Sequence, residues 1–502
     1  MSAAIERNSV VEMFAEVVRR HPQRLALVAD GERLDYAAYG RAVAAVGSLL
    51  AAAGAGEGRR VATVLGNSGT ACIASFAILA SGAQHVPLNP LYTERELRYI
   101  LEDARPLLIV ADDCELPRLA ELLPGARLFG AGMLREHIAA WDGDWQVPAV
   151  DGAQPALLQY TGGTTGYPKG VQLSHRAIAT NVEQREAVLP TRSGEERILC
   201  VMPLFHSYAM AMGLFLAVRA AGCLVVLPRY RPEAVMQAVE AEGITIFPGS
   251  PTLFTGLMGH ADFERTDWRT VHTCYSGSAP LPEAVLRRWE SAVGAPIYEG
   301  YGQTEAGPIL TYNGPQAGTR IASVGRPLPA TEIEVVDVET GTAVLPPGQC
   351  GEIRARGPQL MSGYLGLPEA TADALRGGWL YTGDIGEFDD EGFLFIRDRK
   401  KDLVIVGGYN VYPREIDEVL HLHPAVAEAA AVGVPDDYRG EVIHAFVVPR
   451  AGATVGVEEL LAHCSGNLAR YKVPSALALV DALPRTAANK IDKKRLREGW
   501  TP

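Results

Sequence analysis

Short apolar runs alternate with helical patterns through the first part of the chain, and this alternation constrains the fold most. The runs begin at Arg60, Pro106, Cys223, Ile244 and Val271, and each ends in turn residues, as buried strands do. Between two of these runs, Leu97, Ile100 and Leu101 recur at helical spacing. The pattern predicts parallel α/β layers, in which ligands bind beyond the carboxyl ends of the strands.

A different texture begins near Thr331, where residues 330–341 and 349–358 alternate apolar and polar side chains at period two. A charged stretch, Asp398–Asp402, then precedes a new α+β pattern. We therefore predict a large multi-layered N-terminal domain over residues 1–398, with parallel α/β sheets and a small β-barrel-like part. Residues 399–502 are predicted to form a small α+β C-terminal domain.

Composition excludes several classes of protein. The chain has 502 residues, and its 46 Lys and Arg against 59 Asp and Glu give a net charge of −13, which disfavours a nucleic-acid partner. The longest apolar stretch, residues 71–83, is too short to span a membrane and predicts a buried helix. Seven dispersed cysteines and an N-terminus with Glu6 and Glu12 are typical of a cytoplasmic protein.

A loop rich in glycine and threonine follows the apolar run that starts at Leu157. Its glycines allow backbone N–H groups to approach an anion, and its hydroxyls and Lys169 add further donors. The composition indicates a phosphate cradle, although Lys169 stands between Pro168 and Gly170 and does not fit the Walker pattern. A flexible surface loop is the alternative. The candidate phosphate-binding residues are Thr161, Gly162, Gly163, Thr164, Thr165, Gly166 and Lys169.

A second motif, residues 297–308, places Tyr301 between glycines, where its ring can face a flat heterocycle. Thr304 and Glu305 follow and offer the hard oxygen ligands that Mg²⁺ prefers. A strand end with an incidental tyrosine is the alternative interpretation.

Two further segments carry polar residues that fit a nucleotide. Asp384 stands in a turn where it can accept hydrogen bonds from ribose hydroxyls, and Arg399 can donate to the same groups. Lys490 lies in a polar loop before a basic helix. Taken singly, a surface turn and a solvated basic tail explain these residues equally well.

Together, in this order and spacing, the four motifs resemble the adenylate-forming superfamily, which includes acyl-CoA synthetases, adenylation domains of peptide synthetases and beetle luciferases. The resemblance extends from about Val10 to Arg497. Residues 87–101 and 399–420, with the chain length, are most similar to fatty-acid and aryl-acid CoA ligases.

The resemblance implies a role for each matching residue. The loop from Thr161 to Lys169 would hold the ATP β- and γ-phosphates, Thr304 would touch the α-phosphate or the acyl carboxylate, and Glu305 would bind Mg²⁺. Lys490 would bridge the attacking carboxylate and the α-phosphate. The remaining ATP-binding residues would be Gly277, Ser278, Ala279, Pro280, Glu299, Gly300, Tyr301, Gly302, Asp384 and Arg399.

The resemblance also implies a second half-reaction with coenzyme A, reached when the mobile C-terminal domain rotates about a hinge at Lys401. Gly407, Gly408 and Tyr409 would then line the tunnel for the pantetheine arm. His206 matches a position near the acyl carboxylate that often gates this tunnel; a structural histidine is the alternative. Asn489 replaces the glycine that most relatives have before the catalytic lysine, and asparagine tolerates the same backbone conformation.

The acyl pocket would include Phe205, His206, Gly302 and Gly307. The segment around His206 lacks the aspartate with which amino-acid-activating members pair the substrate ammonium, so we expect an apolar fatty or aromatic acid. A free-standing enzyme that loads an acyl carrier protein and a non-catalytic nucleotide-binding homologue are the alternatives. A homodimer is a common outcome in the family.

Overall fold

The computed structural model describes residues 8–143, 150–161, 168–406, 409–436, 438–485 and 491–499. Contacts within the chain divide it into two compact units, Met1–Glu332 with Ala355–Leu380, and Ile333–Arg354 with Tyr381–Pro502. This division differs from the boundary predicted after Asp398, because strands on both sides of that residue join one antiparallel sheet with residues 351–356. The hinge at Lys401 stays a prediction.

Helices and short turns cover much of the described chain. The helices are α1 (Val10–Arg20), α2 (Tyr36–Ala52), α3 (Gly69–Ala80), α4 (Glu94–Ala104), α5 (Leu116–Leu122), α6 (Ala131–Ala140), α7 (His175–Val188), α8 (Ser207–Ala209), α9 (Leu216–Arg219), α10 (Pro232–Glu242), α11 (Pro251–Met258), α12 (Glu283–Val293), α13 (Pro368–Ala374), α14 (Pro413–His421), α15 (Val457–Asn467) and α16 (Lys493–Glu498). Short 3₁₀ turns cover Asp113–Glu115, Phe263–Arg265, Thr304–Ala306 and Lys400–Asp402, and a π-helical turn covers Met210–Phe215.

The strands form four sheets. They are β1 (Leu25–Ala29), β2 (Glu32–Asp35), β3 (Arg60–Val64), β4 (Gln84–Leu88), β5 (Leu108–Ala111), β6 (Leu128–Gly130), β7 (Pro155–Thr161), β8 (Lys169–Ser174), β9 (Arg197–Cys200), β10 (Cys223–Val226), β11 (Ile246–Gly249), β12 (Thr273–Ser276), β13 (Ile297–Tyr301), β14 (Thr311–Tyr312), β15 (Arg326–Pro327), β16 (Glu332–Val336), β17 (Gly351–Arg356), β18 (Gly363–Tyr364), β19 (Leu375–Arg376), β20 (Trp379–Phe388), β21 (Leu394–Arg399), β22 (Val404–Val406), β23 (Tyr409–Val411), β24 (Val426–Asp436), β25 (Gly440–Pro449) and β26 (Ala476–Leu479).

Two large sheets belong to the first unit. One has nine strands in the order β15-β14-β13-β12-β11-β9-β10-β1-β2, and the other has seven in the order β18-β8-β7-β4-β3-β5-β6. The run β13-β12-β11-β9-β10-β1 and the run β7-β4-β3-β5-β6 are parallel. The predicted parallel α/β layers are thus confirmed.

Helices α1, α3 and α4 illustrate how local sequence produces these layers. Ser9 caps α1 by accepting a hydrogen bond from the Glu12 backbone N–H at 3.1 Å, as a serine before an amphipathic run does. In α3 every residue after Gly69 is buried, which explains its nearly unbroken apolar sequence. In α4 the predicted stripe of Leu97, Ile100 and Leu101 faces the core.

The remaining sheets are mostly antiparallel. Strands β16, β17, β20 and β19 form one, with β21 paired to β20. In the second unit, β23, β22, β25 and β24 form the other, with β26 alongside β25, and α14 and α15 pack on its apolar face. Among the described residues, no helix has the length and apolar character that crossing a bilayer requires.

Candidate active site

The neck of the predicted phosphate loop is an antiparallel strand pair. Thr161 ends β7 and stands opposite Lys169, the first residue of β8. The Lys169 ammonium lies 4.9 Å from the centre of the Tyr364 ring, a cation–π distance. Both flanking residues thus meet at one point of the sheet. The predicted loop residues Gly162, Gly163, Thr164, Thr165 and Gly166 lie outside the described residues.

Glu305 lies close to this neck. Strand β13 ends at Tyr301, and the following turn Thr304–Ala306 carries the carboxylate into a buried position with 9% exposure. The Tyr364 hydroxyl donates a hydrogen bond to Glu305 Oε1 at 2.9 Å. Burial and the neighbouring carboxylate raise the pKa of Tyr364, so the phenol keeps its proton and remains a donor. Lys169, Tyr364 and Glu305 therefore form a continuous line.

Glycines let the chain fold tightly around this turn. A Cβ on Gly302 would lie 2.0 Å from the carbonyl oxygen of Pro308, closer than any side chain permits. Gly307 has a φ of +85°, and a Cβ there would lie 2.5 Å from the Gln359 carbonyl oxygen. The two predicted acyl-pocket glycines are thus required by backbone packing, whatever else they contact.

The segment from Gly277 to Pro280 leaves the carboxyl end of β12, beside β13. Glu299 accepts a hydrogen bond from the Leu281 backbone N–H at 2.9 Å and ties this segment to β13. A Cβ on Gly277 would lie 2.8 Å from the Tyr208 ring, so the ring packs directly over the backbone. Ser278, with a φ of +68°, is exposed together with Ala279 and Pro280.

The predicted acyl segment reaches the same strand ends. The Ser207 and Thr304 hydroxyl oxygens are 3.3 Å apart, which joins the segment after Phe205 to the Glu305 turn. His206 is half-buried, and its Nδ1 accepts a hydrogen bond from the Tyr208 backbone N–H at 3.3 Å. This contact holds the imidazole ring against its own chain and leaves Nε2 as the nitrogen for any further role.

In the second unit, Asp384 and Arg399 stand opposite each other across the β20–β21 pair. Arg399 Nε lies 3.7 Å from Asp384 Oδ1, with the guanidinium side chain 53% exposed. Lys401 is half-buried, and burial followed by the charge of Arg399 lowers its pKa. The sequence thus correctly paired Asp384 with Arg399.

Tyr409 begins β23 and is exposed, and its ring stacks on Tyr471 with centres 4.6 Å apart. Its predicted neighbours in the coenzyme A tunnel, Gly407 and Gly408, lie outside the described residues, as do Asn489 and Lys490. The described residues on either side of that last loop, Arg485 and Ile491, pair as an antiparallel bridge.

Sequence reasoning missed Tyr364 and Ser207. Tyr364 occupies a two-residue strand, and no motif marks it. Only the pairing of β18 with β8 brings it between Lys169 and Glu305. Ser207 follows His206 directly, but its contact with Thr304 joins residues 97 positions apart and leaves no local signal.

Among the described residues, no group of three or more His, Cys, Asp or Glu side chains could hold a metal ion alone. Mg²⁺ usually binds through one or two carboxylates together with phosphate oxygens and water. The buried Glu305 carboxylate beside the phosphate-loop neck fits that kind of site.

Fold and site together define an enzyme of the class that activates carboxylic acids as adenylates, and comparisons with known proteins agree. The family model "AMP-binding enzyme" matches residues 14–365, and "AMP-binding enzyme C-terminal domain" matches residues 415–490. The chain belongs to the AMP-binding enzyme family. The predicted superfamily is therefore confirmed.

Relatives and solved structures match nearly the whole chain. A long-chain-fatty-acid–CoA ligase of Bacillus subtilis (strain 168) is 35% identical, covering 99% of this chain and 95% of that protein. A feruloyl-CoA synthase of Amycolatopsis sp is 36% identical, covering 95% and 96%. The crystal structure of ATP-bound MatB from Rhodopseudomonas palustris superimposes with a TM-score of 0.91 at 32% identity, covering 97% and 98%. These similarities confirm the prediction of an AMP-forming acid–thiol ligase.

Proposed function

We propose that this protein is an ATP-dependent carboxylic acid–CoA ligase. An acid carboxylate attacks the α-phosphorus of ATP, forming an acyl-adenylate and releasing pyrophosphate. The thiol of coenzyme A then attacks the acyl carbonyl carbon, forming a thioester and releasing AMP. The line from Lys169 through Tyr364 to Glu305 carries this proposal, because it joins a cation beside the phosphate loop to a carboxylate suited to Mg²⁺.

In the first half-reaction, the loop from Thr161 to Lys169 binds the β- and γ-phosphates, and Tyr301 faces the adenine. Asp384 and Arg399 bind the ribose hydroxyls. Glu305 would hold Mg²⁺, which when bound neutralises charge on the leaving pyrophosphate. Lys490 stands between the two anions that must meet, the carboxylate and the α-phosphate, and offsets their repulsion.

In the second half-reaction, the C-terminal domain turns about Lys401, withdraws Lys490 and brings residues 407–409 to the acyl-adenylate. Glycines there let the pantetheine arm run close to the backbone. His206 gates this path through Nε2, since Nδ1 already accepts a backbone hydrogen bond.

The acid is apolar, either fatty or aromatic. The relatives named above act on a long-chain fatty acid and on ferulate, according to their names, and support both classes. Free coenzyme A is the acceptor, and comparing it with a holo acyl carrier protein under equal conditions tests this choice. We also propose a cytoplasmic homodimer, which light scattering tests for its oligomeric state.

A half-reaction assay tests the central role. Lys490→Ala should abolish pyrophosphate release from ATP and acid while sparing thioester formation from preformed acyl-AMP. Lys494→Ala is the matched control, because Lys494 lies on the following helix and is 75% exposed. Equal loss of both half-reactions in Lys490→Ala would contradict the assignment.

Removal of the metal tests the role of Glu305. Chelation with EDTA should stop adenylate formation, and added Mg²⁺ should restore it. Glu305→Gln should need more Mg²⁺ than the wild type for the same rate. Full adenylation in EDTA would refute the proposed metal site.

A further inference from the structure

A buried group of polar and aromatic side chains lies behind the candidate site and has no role in the steps above. Arg185 on α7 is only 1% exposed and is among the largest fully buried side chains of the described chain, as are Tyr275 and Tyr312. Its guanidinium carbon lies 4.6 Å from the centre of the Tyr275 ring. We call Arg185, Tyr208, Tyr275, Ser276 and Tyr312 the tyrosine–arginine cluster.

The hydrogen bonds of this cluster are incomplete. Arg185 Nη1 pairs with Glu186 Oε2 at 2.9 Å, and Nη2 donates to the Tyr275 hydroxyl. No described residue accepts a hydrogen bond from Arg185 Nε, and none partners the buried hydroxyl of Ser276. Buried donors without acceptors are unfavourable, so these atoms favour a ligand that completes their hydrogen bonds.

Two glycines bring the cluster to the strand ends of the active site. The Tyr208 ring packs on Gly277, where a Cβ would lie 2.8 Å away, and the Tyr312 ring packs on Gly300, where a Cβ would lie 2.6 Å away. Ser207, next to Tyr208, contacts Thr304 at 3.3 Å. The cluster therefore begins immediately behind the residue proposed to touch the acyl carboxylate.

The charge of the cluster narrows what it can accept. Glu186 already balances the guanidinium of Arg185, so a second carboxylate buried here would have no counter-charge and would be disfavoured. An uncharged hydroxyl can accept from a guanidinium N–H at a smaller desolvation penalty. Three tyrosine rings provide flat walls on which another aromatic ring packs well.

We propose that the tyrosine–arginine cluster forms the far end of the acyl pocket and selects an aromatic acid with an uncharged hydrogen-bonding group, such as a ring hydroxyl, opposite its carboxylate. This inference rests on the proposed function and specifies its substrate class. It turns the open choice between fatty and aromatic acids into a choice for hydroxyaryl acids.

An acid panel tests it. Para-hydroxy, unsubstituted and para-carboxy forms of benzoate and cinnamate are compared with octanoate and dodecanoate, with kcat/KM measured by pyrophosphate release in the presence of coenzyme A. In one ring series, the hydroxy acid should exceed the unsubstituted acid, the para-carboxy acid and both fatty acids by about tenfold or more.

Conservative variants link the preference to the cluster. Tyr275→Phe keeps the ring and removes one hydroxyl, and should reduce the ratio of hydroxy to unsubstituted acid to within about threefold of one. Arg185→Met should do the same, and where that variant fails to fold, Tyr275→Phe decides. Tyr39→Phe is the matched control, because Tyr39 is another buried tyrosine whose hydroxyl has no partner among the described residues. It should keep the wild-type ratio.

Two results would overturn the inference while leaving the proposed function intact. In the first, the wild type uses a fatty acid as well as or better than every hydroxyaryl acid. In the second, Tyr275→Phe retains the full hydroxyl preference, which would indicate that buried water alone completes the cluster. Absence of pyrophosphate release with every acid would instead contradict the proposed function itself.

Discussion

Tyr364 offers a sharp test of the active site, because a single atom of it connects two elements. Its hydroxyl donates to Glu305 Oε1 at 2.9 Å, while its ring lies 4.9 Å from the Lys169 ammonium. Tyr364→Phe removes the hydroxyl and keeps the ring. The substitution therefore separates the positioning of Glu305 from the packing of strand β18.

The expected magnitude follows from the burial and charge of the acceptor. A hydrogen bond to a charged group contributes about 1.5–3 kcal/mol, and Glu305 is only 9% exposed, so little water can replace the lost donor. Each 1.36 kcal/mol corresponds to about tenfold in rate. We expect kcat/KM for MgATP to fall by about 10- to 100-fold, with the Mg²⁺ dependence shifted to higher concentration.

The assay is pyrophosphate release at saturating acid, titrated with Mg²⁺ at several ATP concentrations. Tyr230→Phe is the control, since the Tyr230 hydroxyl also donates one hydrogen bond, to the Leu253 carbonyl at 3.1 Å, in a different part of the first unit. Thioester formation from preformed acyl-AMP should survive in Tyr364→Phe. A folded Tyr364→Phe protein with wild-type Mg²⁺ dependence would refute the reasoning.

Three further predictions concern stability, each measured by urea unfolding. Lys493 donates to Asp417 at 3.0 Å, and both are largely buried, so Lys493→Met should destabilise the second unit by about 3 kcal/mol and Asp417→Leu should restore part of it. Burial lowers the pKa of His85 to about 3, so this histidine stays neutral in the fold while the unfolded chain takes up a proton below pH 6.5. Between pH 6.5 and 3 the wild type should lose up to about 1.4 kcal/mol per pH unit relative to His85→Gln; parallel curves would contradict this. Trp289 is fully buried 4.8 Å from the Phe254 ring, and Trp289→Ala should reduce stability by about 3–5 kcal/mol.

Local sequence patterns predicted much of the fold because they follow from short-range rules. The helical stripe of Leu97, Ile100 and Leu101 and the cap at Ser9 depend on neighbours within one or two turns. Parallel strands followed from the alternation of apolar runs with helices. The sequence could not reveal that residues 381–398 group with residues 333–354, because strand pairing over such distances depends on the whole sheet.

The same reasoning separates the site residues that sequence could find from those it could not. Glycine, threonine and lysine in one loop carry their chemistry in their composition, and so does a tyrosine between glycines. Tyr364 and Arg185 act through contacts with residues 59 and 90 positions away, which no local pattern records. Arg185 in particular reads as an ordinary helical arginine until its burial is known.

The contacts of Glu299 and Asp384 give these two predicted ATP-binding carboxylates different roles. Glu299 is buried and accepts from the Leu281 backbone N–H at 2.9 Å, so releasing it would leave a buried donor unpaired. Its part in ATP binding is therefore to hold the segment that begins at Gly277. Asp384 instead faces a half-exposed Arg399 at 3.7 Å, and an exposed ion pair of that length contributes little. Ribose hydroxyls can replace this contact at small free-energy cost, so Asp384 is the carboxylate suited to direct contact with the nucleotide.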